Sequence, residues 1–227
     1  MKFSFSILTM TAAAVVFTSC SKDKIAEPVK PAAETIQTYF KFDGNLTDST
    51  GNITTATPTG TITYGTDRNG NANKALYLDG ASKIVFPGFK LQGQSMTMSA
   101  WIKYSTPGAG LQIILTALTD ASGGPALIQY GNTLGISVST PSTNSAYSED
   151  VNANWHHLAT TYDGVNIKVY LDGILAHTVN HPGTMGTGAR DMILGFFSGN
   201  YWKGYIDELR VYNTVLTATD IQSVTAL

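Results

Sequence analysis

Two Asp-Gly pairs, Asp163-Gly164 and Asp172-Gly173, bracket a run in which Val165, Ile167, Val169 and Leu171 alternate with Asn166, Lys168 and Tyr170. That alternation has the period of a strand with one buried face. Asp-Gly between such runs tolerates the positive φ of a tight hairpin turn. The stretch from His156 to Val179 therefore predicts consecutive antiparallel strands. The rest of the chain follows the same grammar: short runs of β-branched and aromatic residues separated by Gly, Pro, Asn and Asp clusters. Only the tail reads as helix, where Thr217-Ala218-Thr219-Asp220 has the spacing of a capping box with Asp in place of Glu. Ile221 and Val224 follow on one face. The expected fold class is all-β and antiparallel, with a short C-terminal helix.

Composition narrows the setting. Charged residues are 13% of the chain, below the usual quarter, and Thr, Ser, Asn and Gly fill the gap. This favours extracytoplasmic β structure. The formal net charge is −2 with no basic patch, which argues against nucleic acid as a partner.

The first residues fall outside this pattern. Lys2 is followed by an apolar run from Ile7 to Phe17 and by Thr18-Ser19-Cys20. The run is too short to span a bilayer and has the shape of a secretory signal over residues 1–19. Cys20 is the one cysteine of the chain. A small residue before a lone cysteine here resembles a bacterial lipobox, which implies cleavage before Cys20 and its lipidation. Residues 20–36 carry lysines, acids and Pro28 and Pro31 with little apolar content, and read as a flexible tether. The Ser-Cys-Ser start resembles lipoproteins of the Bacteroidetes type. That implies a lipoprotein of the bacterial cell envelope, held by its lipid at the outer membrane, with the side it faces left open.

Three motifs carry a broader resemblance. They are Trp155-His156-His157-Leu158-Ala159-Thr160-Thr161-Tyr162-Asp163-Gly164, Val169-Tyr170-Leu171-Asp172-Gly173 and Gly204-Tyr205-Ile206-Asp207-Glu208-Leu209-Arg210-Val211-Tyr212. Tyr39 to Asn45, Ala75 to Gly80 and Met98 to Lys103 extend the match toward the N-terminus. Together they resemble the LamG-like, concanavalin A-like lectin/glucanase family. The resemblance implies one domain over residues 37–227, a two-sheet antiparallel jelly-roll sandwich. Lectins, glycan-binding modules, adhesion domains and some enzymes share that architecture, so function must be read from a site.

If Gly204 to Tyr212 is one regular strand, Tyr205, Asp207, Leu209 and Val211 share a face and the Asp207 carboxylate lies among core side chains. A buried carboxylate is costly unless paired, hydrogen-bonded or bound to metal. The resemblance implies a structural Ca2+ held by Asp207 and backbone carbonyls, with Asp43 or Asp79 supplying further oxygens. The competing reading has Asp207 hydrogen-bonded to backbone and Asp43 and Asp79 forming turns. His156 and His157 are adjacent and point to opposite faces of a strand, which does not make the converging set a zinc site needs.

Hydrolases on this fold place acids two to four residues apart on one strand face. The closest pairs here, Glu149-Asp150 and Asp207-Glu208, are adjacent and face opposite ways. The expectation is therefore a non-catalytic module. Two polar stretches carry aromatics able to meet a sugar ring: Ser139 to Asp150, with Asn144 and Tyr147, and Phe196 to Trp202, with Asn200, Tyr201 and Trp202. For Trp202 the alternative is packing over the sheet edge. Trp101 and Trp155 are expected in the core. Two function classes result, a carbohydrate-binding module and a protein-binding or adhesion module, with a glycan or an extracellular protein as partner.

Overall fold

The computed structural model describes residues 36–91, 93–107, 110–117, 124–140, 142–186 and 189–227. The expected signal, Cys20 and most of the tether lie outside the described residues. The strands are β1 (Ile36–Phe40), β2 (Thr57–Thr59), β3 (Thr63–Gly65), β4 (Ala75–Asp79), β5 (Lys83–Lys90), β6 (Met96–Tyr104), β7 (Leu111–Thr116), β8 (Pro125–Tyr130) and β9 (Thr133–Ser139). They continue with β10 (Thr143–Tyr147), β11 (His156–Tyr162), β12 (Asn166–Leu171), β13 (Ile174–Asn180), β14 (Ala189–Leu194), β15 (Phe196–Phe197), β16 (Asn200–Tyr201) and β17 (Lys203–Tyr212). One helix, α1 (Ala218–Thr225), follows.

Two antiparallel sheets pack face to face. The first runs β13-β12-β11-β6-β17-β4-β3, with β1 also paired to β17; the second runs β10-β9-β8-β7-β14-β5-β2. Inward residues of both sheets interdigitate in one core. Met96, Met98, Ala100 and Ile102 of β6 meet Ile84 and Phe86 of β5, Leu127 of β8 and Met192 and Leu194 of β14. The turn after β12 has Asp172 at φ 50° and Gly173 at φ 82°, both positive as a two-residue hairpin turn of this hand requires. The Asp172 carboxylate also ties the Trp-His-His motif in place. One oxygen accepts the His157 backbone N–H at 2.8 Å and the other lies 2.8 Å from His156 Nδ1.

The last strand departs from the regular alternation expected of it. Ile206 faces the core and Tyr205 and Asp207 face outward, but Leu209 and Val211 are again in the core. A β-bulge between Asp207 and Arg210 resets the register, with Glu208 at φ 54°. Asp207 therefore does not share a face with Leu209 and Val211. It lies on the outer face of the first sheet with Trp101, its cross-strand partner. Trp101 and Trp155, expected in the core, are both half-buried on that side.

Helix α1 covers part of this outer face. Thr217 and Asp220 form the reciprocal capping box. Leu216, Ile221 and Val224 pack on Ala159, Tyr170 and Tyr212. Beneath the helix, His157 is fully buried and its Nδ1 lies 2.8 Å from Thr225 Oγ1. Burial, reinforced by Arg210, lowers the His157 pKa to about 3. Between about pH 3 and 6.5 the unfolded chain binds a proton here that the folded chain refuses, so stability falls as pH falls through that window. A tenfold change in proton affinity is worth about 1.4 kcal/mol, so this one group costs the fold several kcal/mol on full acidification. Asp207 acts in the opposite sense over much of the same window, from about pH 4 to 7, because burial and the neighbouring Glu208 raise its pKa to about 7, so the fold gains from its protonation as pH falls. The expected outcome is that wild type loses more stability than His157→Gln on going from pH 6.5 to 4, read from urea melts at each pH. Parallel pH profiles would contradict it.

Candidate functional site

The outer face of the second sheet follows directly from its register. Thr57, Val85, Ile193, Thr116, Ala126, Ser137 and Ser145 lie opposite one another in a row across all seven strands. The next row is Ile113, Ile128, Gly135 and Tyr147, and beyond it come Leu111, Tyr130 and Thr133. A bulge in β7 turns both Ile114 and Leu115 to the core and leaves Ile113 outward. Ile113, Ala126 and Ile128 form an apolar floor on this face, with Tyr147 packed against it.

Gly135 is the key to the local shape. A Cβ there would collide with the Ala146 carbonyl oxygen and come within 2.9 Å of Tyr147 Cα, so β9 and β10 approach closely only because position 135 is bare. No side chain then separates Tyr147 of β10 from β8. The Tyr147 and Tyr130 rings meet with centroids 6.2 Å apart and planes at 57°. Tyr130 is 56% exposed, and Leu111 beside it is 45% exposed. Ser137, Ser139, Thr143 and Ser145 add hydroxyls on the same face. The arrangement offers the exposed side chains of Tyr130 and Leu111, bordered by small hydroxyls, the combination that ligand sites use to hold a ring and fix its orientation.

The expected ligand residues divide. Tyr147 is on this face, but the stretch expected as a loop is strand β10, and alternation puts Asn144 on the opposite side. The Asn144 Oδ1 accepts the Ser145 backbone N–H at 2.9 Å. Trp202 is fully buried and donates its indole N–H to Gln129 Oε1 at 2.7 Å, so it is a core residue and touches no ligand. Asn200 and Tyr201 form β16 of a small hairpin beside β7, whose turn has Ser198 and Gly199 at positive φ. Tyr201 packs on Phe196, and Lys83 Nζ lies over the Phe196 ring at 4.6 Å. In sheet order, β7 is three strand spacings from β10, roughly 14 Å. Asn200 and Tyr201 are thus set apart from Tyr147, while Tyr130 on β8 is one strand spacing from β7. Tyr130 was missed because it ends a run that otherwise reads as buried strand; only the register shows it opposite Thr133 and beside Tyr147.

The three carboxylates expected to hold calcium do not converge. Asp207 makes an ion pair with Arg68, Nη1 to Oδ2 2.8 Å, with side chains 12% and 3% exposed. The Arg68 guanidinium also lies 4.9 Å above the Trp101 ring. Asp43 pairs with Lys74 at 3.3 Å at the surface. Asp79 accepts the Ala81 N–H at 2.9 Å in its turn. Among the described residues no group of three or more His, Cys, Asp or Glu side chains is placed to hold a metal ion. A divalent cation on Asp207 would face the guanidinium at contact distance, so these residues do not fit the ion. The buried carboxylate missed at the sequence level is Asp48, which accepts the backbone N–H groups of Tyr39, Thr50 and Ile53 and the Thr50 hydroxyl. At a pH well above 7, where Asp207 is ionised, Arg68→Ala strands its carboxylate and should cost about 3–5 kcal/mol, as breaking a buried pair does, with a smaller loss at lower pH where the group protonates. Arg68→Ala,Asp207→Asn should recover part of that loss, while a chelator should leave the wild-type melting curve unmoved. A chelator-induced drop in Tm would contradict this account.

Comparison with known proteins agrees with the architecture. Residues 78–222 match the profile of a family described as the concanavalin A-like lectin/glucanases superfamily. Among curated protein sequences nothing matches the chain. A similar solved structure is domain 4 of AbnA, a GH43 extracellular arabinanase from Geobacillus stearothermophilus, in complex with arabinotriose. It is 25% identical, with a TM-score of 0.74, covering 84% of this chain and 98% of that one. The receptor-binding domain of botulinum neurotoxin mosaic serotype C/D is similar in fold alone, at 15% identity and TM-score 0.71, covering 85% of this chain and 51% of that one. A structure of botulinum neurotoxin type C, whose cell entry is described as dependent upon interaction with two ganglioside molecules, gives 14% and 0.67, again with 51% of that chain covered.

Proposed function

The chain belongs to the concanavalin A-like lectin/glucanase superfamily, and on that footing we propose that it is a non-catalytic carbohydrate-binding module of the bacterial cell envelope, held at a membrane by a lipid on Cys20. The observation that carries the reading is the Tyr130–Tyr147 pair, with Tyr147 packed on the apolar residues of β7 and β8 and the Tyr130 ring exposed beside it. A sugar ring placed on Tyr130 covers exposed aromatic surface, and its hydroxyls reach Thr133 or the serines of β9 and β10. The likeness to a domain seen with arabinotriose, at 25% identity over nearly all of that domain, supports an oligosaccharide as the ligand class. Arabino-oligosaccharides are the first to test. Among the described residues the polar groups beside the tyrosine pair are hydroxyls, without the two carboxyl groups that glycoside cleavage uses, which supports a binding role over hydrolysis.

A protein-binding reading has one observation in its favour. Strand β13 ends the first sheet and is exposed along most of its length, with Ile174 71% and Leu175 49% exposed. An edge of this kind accepts an added strand. Glycan binding is preferred because the tyrosine face offers shaped side-chain contacts in addition to backbone.

Two outcomes are expected. Tyr130→Ala should weaken oligosaccharide binding about tenfold or more with little change in Tm, because an exposed ring contributes little to the core. Tyr147→Ala should weaken binding and also lower stability, since its ring covers Ile113 and Ile128. Calorimetric titration and melting curves of both variants test this, and unchanged affinity in both removes the face from the site. Cys20→Ala should release the protein from the membrane fraction or leave its precursor unprocessed, as fractionation and gel mobility would show; wild-type behaviour contradicts the anchor.

A further inference from the structure

A second concavity lies on the other side of the molecule, between β1, the loop 48–53 and the last half of β17. Its volume is about 620 Å³, and its lining includes Tyr39, Lys41, Ser49, Asn52, Glu208 and Arg210. Such a volume is in the range of pockets that hold small organic ligands. The charged residues at its base are organised rather than scattered. Arg210 and Glu208 pair through Nη2 and Oε2, and the Tyr39 hydroxyl donates to the same Glu208 oxygen. Arg210 Nη2 also reaches the Tyr39 oxygen at 2.8 Å, and the guanidinium lies 4.1 Å from the Tyr39 ring centre. Burial and the Glu208 carboxylate hold the Tyr39 hydroxyl above its ordinary pKa, so it remains a donor.

Glu208 is the residue at the bulge, held at φ 54°. A non-glycine residue there is strained, and such strain concentrates where a side chain must be aimed. Among the described residues only its Oε2 is engaged, which leaves Oε1 as an acceptor. Asn52 gives its Nδ2 to the Gln37 carbonyl at 2.9 Å, which leaves its amide oxygen. Lys41 stands 5.6 Å over the Tyr39 ring from the rim. Ile36 and Tyr212 supply an apolar wall.

These groups select a ligand by elimination. A cationic ligand would meet Arg210 and Lys41. An anionic ligand could pair only with Lys41 at the rim, because at the base Glu208 already balances Arg210 and repels it. A neutral polyhydroxylated ring satisfies the set: of two adjacent hydroxyls, one donates to Glu208 Oε1 and the other accepts from Arg210 or Lys41, while the C–H face lies on Ile36 and Tyr212. We propose that this cavity is a second saccharide site, specific for an uncharged sugar with a vicinal diol and separate from the tyrosine face. The module would then hold glycan on two opposite sides.

The test is a series of amide ¹H–¹⁵N spectra of the mature chain with the methyl glycosides of arabinofuranose, xylopyranose, mannopyranose and galactopyranose, and with galacturonate and galactosamine. Saturating shifts at Tyr39, Ser49–Asn52 and Glu208–Arg210 are expected with at least one neutral glycoside, and shifts at least several-fold weaker with the two charged sugars. Glu208→Gln should weaken the cavity response about tenfold while leaving shifts at Tyr130 and Tyr147 in place. Asn52→Ala, at the exposed rim and outside the ion pair, should weaken it as well, so a folding defect in Glu208→Gln does not decide the matter. No cavity shift with any neutral sugar, or a preference for galacturonate, overturns the proposal. Because the two faces report through different amides, failure at one is read separately from failure at the other.

Discussion

Everything on the first sheet is registered to β17. It pairs with β6 along most of its length, with β4 over its first half and with β1 over its second. One strand therefore joins the start, the middle and the end of the chain, and its pairings are long-range contacts that only the finished fold can satisfy. The bulge at Glu208 makes this possible without losing the core. Two outward residues, Asp207 and Arg210, are separated by an even-odd slip that a regular strand forbids, and Ile206, Leu209 and Val211 all remain inside. A regular strand would have sent either Ile206 or Leu209 to the outer face.

The same slip places an acid and a base on the outer face where other parts of the chain complete them. Asp207 finds Arg68 from the loop before β4, and Arg210 finds Tyr39 of β1. In this chain a guanidinium stands against the carboxylate that family resemblance assigns to a metal. The outer face of the first sheet is closed around Arg68 and beneath α1 and opens at the cavity beside Tyr39 and Arg210, whereas the second sheet presents the exposed Tyr130 on its outer face.

Much of the architecture was legible in local pattern. The Asp172-Gly173 turn, the Thr217–Asp220 cap and the alternation of β12 are all set by residues within a few positions of one another. The departures come from contacts across the sequence. Nothing near Asp207 announces a bulge, and Arg68 is 139 positions away. Trp202 reads as an exposed loop aromatic until Gln129, 73 positions earlier, is seen to accept its N–H inside the core. The Ser139–Asp150 stretch is poor in apolar residues because β10 is an edge strand with one face outward, so its polarity reads as loop. Tyr130 became a site residue only when the pairing of β8, β9 and β10 set it beside Tyr147.

The account turns on whether the open tyrosine face is where sugar binds. The most direct measurement is a crystal structure of the chain with arabinotriose. A sugar ring lying on Tyr130 beside Leu111, with hydroxyls near Thr133 or the β9 and β10 serines, is the predicted result. Arabinotriose bound elsewhere with that face empty, or no binding at saturating sugar, would contradict it.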